Sequence, residues 1–163
     1  MTFPRTRTGI GIDIHRLEEG GPMILGGVQI PNEYGLVGHS DGDVLLHAVI
    51  DGFLGAANLG DIGAHFPSDD PVYKGISSEI LLETVFHLVR EKGWNPMFVD
   101  ATIVAEKPRL AEFVPQMKLK IARAINLTQE DVSIKATTTD GLGYVGRGEG
   151  VSCHAVVTIQ RSE

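Results

Sequence analysis

The first clear pattern along the chain is a strict alternation of polar and apolar side chains at residues 8–16. A period of two is typical of a β-strand. It predicts that Asp13 and His15 project from one face of this strand, and that Ile12 and Ile14 project from the other. Two side chains that project together can bind one metal ion, although so short a segment also fits the polar outer face of an ordinary strand.

Three other stretches have the apolar spacing of amphipathic helices: residues 43–57, 77–92 and 114–126. Strands are predicted at residues 98–105, 132–139 and 151–159, a short hairpin at residues 23–30, and a loop at residues 31–38. This order of elements predicts an α+β fold, a two-layer sandwich with a mixed β-sheet and helices on one face. No repeat or linker divides the chain, so residues 1–163 are expected to form a single domain.

Composition narrows the classes of function. Hydrophobic residues make up 42% of the chain, as in a globular protein with a core. The formal net charge of −7 argues against a nucleic-acid partner, yet a small phosphorylated ligand can still be held by local groups. No stretch approaches the roughly 18 apolar residues of a membrane span. The first eight residues lack an apolar signal core and Cys153 is the only cysteine, so a cytoplasmic location is expected.

The densest group of histidines and carboxylates lies at residues 38–47, where a glycine-rich loop leads into a predicted helix. The helical spacing turns His47 toward the strand that carries Asp13 and His15. Imidazole and carboxylate groups are common ligands of zinc. We therefore predict that Asp13, His15 and His47 meet around one metal ion, the alternative for His47 being a half-buried histidine in a helix–sheet contact.

The same helix carries Asp43 and Asp51, one turn before and one turn after His47. Either carboxylate is expected to accept a hydrogen bond from the second ring nitrogen of this histidine. Asp41 or Ser40 is expected to cap the helix.

Three loops offer groups that suit a phosphorylated ligand. In residues 58–71, Asp61 and Gly63 offer a carboxylate and an N–H group to a sugar-like ligand, although Asp61 equally fits a turn. Lys107 and Arg109 follow a predicted strand, where binding loops are common but where surface cations are common too.

The third loop follows the strand that ends in three threonines, and it contains Arg147. Hydroxyl and guanidinium groups there can donate to phosphate oxygens, and the alternative is a β-hairpin with a glycine-rich loop. The letters G-x-G-x-x-G occur in residues 141–146, but a strand follows them instead of a helix, so a dinucleotide fingerprint is rejected.

Taken together, these segments resemble the 2-C-methyl-D-erythritol 2,4-cyclodiphosphate synthase family of the non-mevalonate isoprenoid pathway. The resemblance runs from about residue 11 to residue 159. The motifs that carry it are Gly-x-Asp-x-His at 11–15, His-Ser-Asp-Gly-Asp at 39–43 with His47, Leu-Gly-Asp-Ile-Gly at 59–63, Ala-Thr-Thr-Thr at 136–139 and Gly-Arg-Gly-Glu-Gly at 146–150.

The resemblance implies a phosphorus–oxygen lyase that converts 4-diphosphocytidyl-2-C-methyl-D-erythritol 2-phosphate into the 2,4-cyclodiphosphate and releases CMP. It implies a homotrimer with active sites between neighbouring subunits, and an axial region able to hold an isoprenoid ligand. It also implies Zn²⁺ on Asp13, His15 and His47, and a Mg²⁺ or Mn²⁺ ion that bridges the substrate diphosphate. His39 and Thr138 would stabilise the transition state.

A larger set of residues is implied to contact the substrate. These are Asp13, His15, His39, Ser40, Asp61, Gly63, Phe66, Asp70, Ala105, Lys107, Pro108, Arg109, Leu110, Thr137, Thr138, Thr139, Asp140, Tyr144 and Arg147. Ser40, Asp61 and Gly63 would meet the methylerythritol phosphate, and the loops at 105–111 and 137–140 the cytidine diphosphate. Tyr144 and Arg147 would line the trimer axis. The chain departs from the family at Asp140, where Glu is more common, and at Tyr144, where Phe is more common.

Two other functions fit the same residues. A zinc hydrolase would use His39 or Asp61 as a general base and release a linear monophosphate. A trimeric binding module would hold zinc in a closed structural site and release no CMP.

Overall fold

A computed structural model describes residues 5–161, so residues 1–4, part of the segment inspected for a signal sequence, lie outside the described residues, as do residues 162–163. The strands are β1 (Thr6–Glu19), β2 (Met23–Leu25), β3 (Val28–Ile30), β4 (Tyr34–Leu36), β5 (Trp94–Val104), β6 (Val132–Thr137) and β7 (Gly150–Arg161). The helices are α1 (Val44–Ala57), α2 (Ile62–His65), α3 (Ser78–Glu91), α4 (Val114–Ala124) and α5 (Gly143–Gly146), with 3₁₀ turns at Pro71–Tyr73 and Gln129–Asp131.

Five strands form one mixed sheet in the order β4-β1-β7-β5-β6. β1 is antiparallel to both β4 and β7, β7 is antiparallel to β5, and β5 is parallel to β6. Thr6 at the start of β1 pairs with Gln160 at the end of β7. The predicted α+β class with a mixed sheet is confirmed, and β2 and β3 form the predicted hairpin.

Helices α1, α3 and α4 form the second layer, on the sheet face that carries the buried side chains of β5 and β7. The opposite face of the sheet is exposed. Its exposed apolar side chains are Ile10, Ile12, Ile14, Phe98 and Val156. The ion pair of Asp100 with Lys135, and His154, lie on the same face. The predicted period of two in β1 is therefore confirmed, but the polar side of the strand faces the helices. The alternative of a polar outer face on an ordinary strand is wrong.

Two glycines of β1 let α1 lie directly on the strand. A Cβ atom at Gly9 would lie 2.1 Å from the carbonyl oxygen of Gly52, and one at Gly11 would lie 1.8 Å from that of Ala48. Because β1 continues from these glycines to Asp13 and His15, the close approach also brings His47 beside both side chains.

Two local expectations are wrong. Residues 34–36 form β4, which pairs with the far end of β1, where a loop was predicted. β6 and β7 are not neighbours in the sheet, because β5 lies between them, and helix α5 separates them along the sequence. Residues 140–150 therefore do not form the loop of a β-hairpin, which was the alternative for this segment. Among residues 5–161, no helix combines the length and the apolar character that crossing a membrane requires.

Candidate metal centre and substrate cavities

Asp13, His15 and His47 converge, as predicted. Oδ2 of Asp13 lies 2.8 Å from Nε2 of His15 and 3.1 Å from Nδ1 of His47. The two ring nitrogens are 3.1 Å apart. Donors that bind zinc at about 2.0–2.2 Å in a tetrahedron are roughly 3.3 Å apart. The three atoms therefore need to separate by only a few tenths of an ångström to hold such an ion.

The chemistry of these donors suits a divalent transition metal. Nδ1 of His15 lies 2.5 Å from the carbonyl oxygen of Val37. A carbonyl only accepts, so Nδ1 carries a proton and donates it, and Nε2, on the Asp13 side of the ring, is the nitrogen available to a metal. A histidine whose second nitrogen donates to a carbonyl is the usual form of a metal-bound histidine. Two imidazole nitrogens and one carboxylate oxygen thus form a ligand set with room for a further ligand.

The charges of the group fit the same role. Burial acts to raise the pKa of Asp13, but its hydrogen bonds with His15 and His47 outweigh burial and hold the pKa of this carboxyl well below its ordinary value. Burial acts to lower the pKa of His15, and the Asp13 carboxylate outweighs it and raises that pKa. Asp13 is therefore ionised at neutral pH, as a ligand carboxylate must be.

Neither carboxylate predicted to hold the ring of His47 does so. Asp43 is the N-cap of α1, a position predicted for Asp41 or Ser40, and its oxygens accept bonds of 2.7–3.0 Å from the N–H groups of Gly26, Gly27 and Leu46. Asp51 accepts the N–H of Ile62.

Nε2 of His47 instead lies 2.9 Å from the hydroxyls of both Ser40 and Ser78. Sequence reasoning missed Ser78, whose only signal is its place at the start of a predicted helix.

A cavity of about 220 Å³ opens beside the candidate metal ligands. The predicted substrate residues that line it are His15, His39, Ser40, Gly63 and Phe66, and His47 lines it as well. Asp61 caps α2 through the N–H of Ala64, which is the turn role left open for it. Asp70 caps the turn at Pro71–Tyr73, and its carbonyl oxygen lies 2.9 Å from Nε2 of His39.

A second cavity of about 230 Å³ lies where β5 and β6 end. The predicted residues that line it are Ala105, Pro108, Arg109, Leu110, Thr137 and Thr138. Thr138 is not among the residues that line the metal cavity. The two residues implied to be catalytic, His39 and Thr138, therefore line different cavities of one chain.

The remaining predicted residues lie around the second cavity. Lys107 and Arg147 line one neighbouring groove, and Thr139 and Tyr144 line another. Asp140 has a left-handed backbone, with φ of 55°. Glu106, which sequence reasoning did not single out, joins the two loops, because its Oε1 accepts bonds from the N–H (2.8 Å) and hydroxyl (3.0 Å) of Thr139.

The model of the YgbB family matches residues 6–160. The chain belongs to the YgbB family. It is similar to the 2-C-methyl-D-erythritol 2,4-cyclodiphosphate synthase of Syntrophomonas wolfei, with 54% identity over 156 residues that cover 96% of this chain and 99% of that one. The family resemblance noted in the sequence is therefore confirmed.

Solved structures share the fold of this YgbB-family chain. The bifunctional IspDF of Campylobacter jejuni matches with a TM-score of 0.95 and 39% identity, over 99% of this chain and 44% of that one. A CDP complex of IspF from Plasmodium falciparum matches with a TM-score of 0.85 and 28% identity, over 99% of this chain and 100% of that one.

Proposed function

We propose that this chain converts 4-diphosphocytidyl-2-C-methyl-D-erythritol 2-phosphate into 2-C-methyl-D-erythritol 2,4-cyclodiphosphate with release of CMP, as a lyase of isoprenoid precursor biosynthesis. The convergence of Asp13, His15 and His47 beside a cavity carries this proposal. It is supported by 54% identity, over nearly the full chain, to a synthase of that name.

The reaction is an intramolecular phosphoryl transfer. An oxygen of the 2-phosphate forms a bond to the β-phosphorus, the bond from this phosphorus to the CMP oxygen breaks, and CMP leaves with the electron pair. Two anionic groups must be brought together, so the protein acts by positioning and by neutralising charge. A zinc ion held by Asp13, His15 and His47 would supply Lewis-acid polarisation of a phosphate oxygen.

The residues of the two cavities supply the rest. His39 donates from Nε2 to the carbonyl of Asp70, which fixes its ring at the wall of the metal cavity. Ser40 presents a hydroxyl to the same cavity. In the second cavity, the cation of Arg109 and the hydroxyls of Thr137 and Thr138 suit a nucleoside diphosphate. The CDP that is bound in the related IspF structure agrees with this ligand class.

We propose that the second cavity of one subunit completes the metal cavity of its neighbour in a homotrimer. His39 and Thr138 act on one substrate in this proposal although they line different cavities of a single chain. The exposed isoleucines of β1 on the outer sheet face, Ile10, Ile12 and Ile14, form a surface of the kind that protein–protein contacts bury. Tyr144, exposed by 38%, and Arg147 would contribute to an axial region that holds an isoprenoid.

A Mg²⁺ or Mn²⁺ ion bridging the substrate diphosphate is part of the proposal. Within residues 5–161, the only group of three or more metal-ligating side chains that can converge on one ion is that of Asp13, His15 and His47. The second ion would therefore be held mainly by phosphate oxygens. A single domain over residues 1–163 and a cytoplasmic location stay predictions from the sequence.

The test is to incubate the purified protein with the cytidylated 2-phosphate, zinc and magnesium, and to identify the products by phosphorus NMR. We expect a cyclic diphosphate and CMP. A linear monophosphate would instead indicate a hydrolase, and no CMP would indicate a binding module. His47→Ala should lose turnover and bound zinc. His87→Ala, which removes an exposed histidine on α3, is the matched control and should keep both.

A further inference from the structure

A chain of hydrogen bonds leads away from the candidate metal centre on the far side of the His47 ring. Nε2 of His47 lies 2.9 Å from Oγ of Ser78. The Ser78 hydroxyl donates to Oδ1 of Asp41 over 2.5 Å, and the Ser78 backbone N–H donates to Oδ2 of Asp41 over 2.8 Å. Ser78 has no exposed surface. A buried hydroxyl therefore connects a candidate metal ligand to a carboxylate.

The position of each proton in this series of hydrogen bonds can be assigned from its donors and acceptors. An ionised carboxylate only accepts, so the single hydroxyl proton of Ser78 points to Asp41. The Ser78 oxygen then accepts, and the proton between Ser78 and His47 belongs to Nε2 of the histidine. Nε2 of His47 therefore carries a proton, which leaves Nδ1, 3.1 Å from Oδ2 of Asp13, as the nitrogen that would bind a metal.

Ser40 does not supply the same constraint, although its hydroxyl is also 2.9 Å from Nε2 of His47. Its oxygen lies 3.5 Å from that of Ser78, and the bonds described for this hydroxyl are those to His47 and Ser78. A hydroxyl that is free to rotate can either donate or accept, so it leaves the tautomer of the imidazole undetermined.

Asp41 is held in place by the segment around it. Its Oδ1 also accepts the N–H of Asp43, and its own N–H donates to the carbonyl of Ile76, both over 3.1 Å. The N–H of Gly75 donates to the carbonyl of His39 over 2.8 Å. These bonds attach residues 39–43 to the start of α3, so the carboxylate stays aimed at Ser78.

We propose that Ser78 and Asp41 are positioning residues of the metal centre, which hold the His47 ring with Nε2 bonded to Ser78 and Nδ1 turned toward the candidate metal site. A hydrogen-bonded partner on the second nitrogen of a ligand imidazole fixes the orientation of the ring, and its loss typically weakens metal binding. The inference deepens the proposed function, since it rests on His47 being a metal ligand.

The first test is zinc affinity, measured on the metal-free protein in competition with a chromophoric chelator. Ser78→Ala is expected to weaken zinc binding by about 10–100-fold, the usual effect of losing such a partner. Ser40→Ala removes a hydroxyl at the same distance from Nε2, but one that no carboxylate orients, and is expected to keep the wild-type zinc affinity. Circular dichroism checks that both variants fold.

The second test is the proton on Nε2 of His47, read from the ¹⁵N chemical shifts of the histidine rings in metal-free protein. Wild type and Ser40→Ala are expected to show Nε2 of His47 fully protonated, and Ser78→Ala to show this nitrogen only partly protonated. Asp41→Asn keeps the shape of the side chain but removes its charge. It should weaken zinc binding in the same direction, with little further loss when combined with Ser78→Ala, because the two residues act in series.

Wild-type zinc affinity and a fully protonated Nε2 of His47 in Ser78→Ala would overturn the inference, as would an equal loss of zinc affinity in Ser40→Ala. If Ser78→Ala does not fold, Asp41→Asn decides by the same two measurements. Failure of the proposed function looks different, because wild-type protein would then bind zinc normally and form no cyclic product.

Discussion

Gly11 sets the distance between β1 and α1, and its replacement by alanine tests whether this distance builds the metal centre. A Cβ atom at residue 11 would lie 1.8 Å from the carbonyl oxygen of Ala48 and 2.7 Å from the backbone nitrogen of Gly52. Both atoms belong to the backbone, so no change of rotamer removes the clash. Since nonbonded heavy atoms are typically separated by roughly 3.5 Å, α1 must retreat from β1 by more than about 1 Å.

The retreat has two measurable effects. His47 precedes Ala48 on α1, so its contact of 3.1 Å with Asp13 on β1 opens by a similar distance. Metal–ligand distances tolerate only about 0.2 Å, so zinc binding should fail or weaken strongly. Overpacking costs about 1–3 kcal/mol, which for a chain of this size lowers the melting temperature by about 2–12 °C.

The assay is zinc content after dialysis, measured by mass spectrometry, together with thermal unfolding followed by circular dichroism. Gly55→Ala is the matched control, because a Cβ at this exposed position of the same helix meets nothing within 4 Å. The control should keep its zinc and unfold at the same or a higher temperature, since alanine favours helices by about 1 kcal/mol over glycine. If Gly11→Ala keeps wild-type zinc and melting temperature, the packing argument is refuted.

Three further predictions follow from the fold and the site. Ile12→Glu puts a charge on the proposed interface and should shift the sedimentation velocity toward that of a monomer. Ile80→Glu, at an equally exposed position of α3 (51% against 50%), is the control and should not shift it. Equal sedimentation of the two variants would contradict the proposed interface. Burial raises the pKa of Asp43 to about 6, above the unfolded value of about 3.9. The folded state therefore holds this proton more tightly than the unfolded state. The free energy of unfolding should fall by roughly 3 kcal/mol as pH rises from about 4 to 6 and the carboxyl ionises. Urea unfolding of wild type and Asp43→Asn should differ by this slope, and parallel pH profiles would disprove it. Glu106→Ala removes the acceptor that joins the two loops of the second cavity. Steady-state kinetics should then show a several-fold higher KM, with unchanged zinc content. An unchanged KM would exclude a role of Glu106 in substrate binding.

The sequence was most informative where periodicity is strong and local. The alternation around Asp13 and His15, and the helical spacing after Asp43, placed three side chains on two regular elements and allowed their convergence to be predicted. The same alternation does not tell which side of β1 is buried. Ile12 and Ile14 suggest an inward apolar face, yet the glycines on the opposite face are the residues that let a helix pack closely.

Interactions between segments distant in sequence were not predictable. Ser78 reaches His47 only because residues 39–43 are bonded to the start of α3. β4 contains only three residues and pairs with the far end of β1, so its local sequence carries almost no strand signal. The N-cap of α1 was ambiguous because several residues of one short segment are good caps, and only the contacts with Gly26 and Gly27 select Asp43.

The pairing of Thr6 with Gln160 puts the start of β1 beside the end of β7, and the N–H of Arg161 donates to the carbonyl of Arg5. Seven residues of strand separate Thr6 from Asp13, a span of roughly 23 Å. A further domain tethered at either strand end would therefore leave the metal cavity open. A circular permutant that joins residue 160 to residue 6 through a short linker should for the same reason retain its zinc.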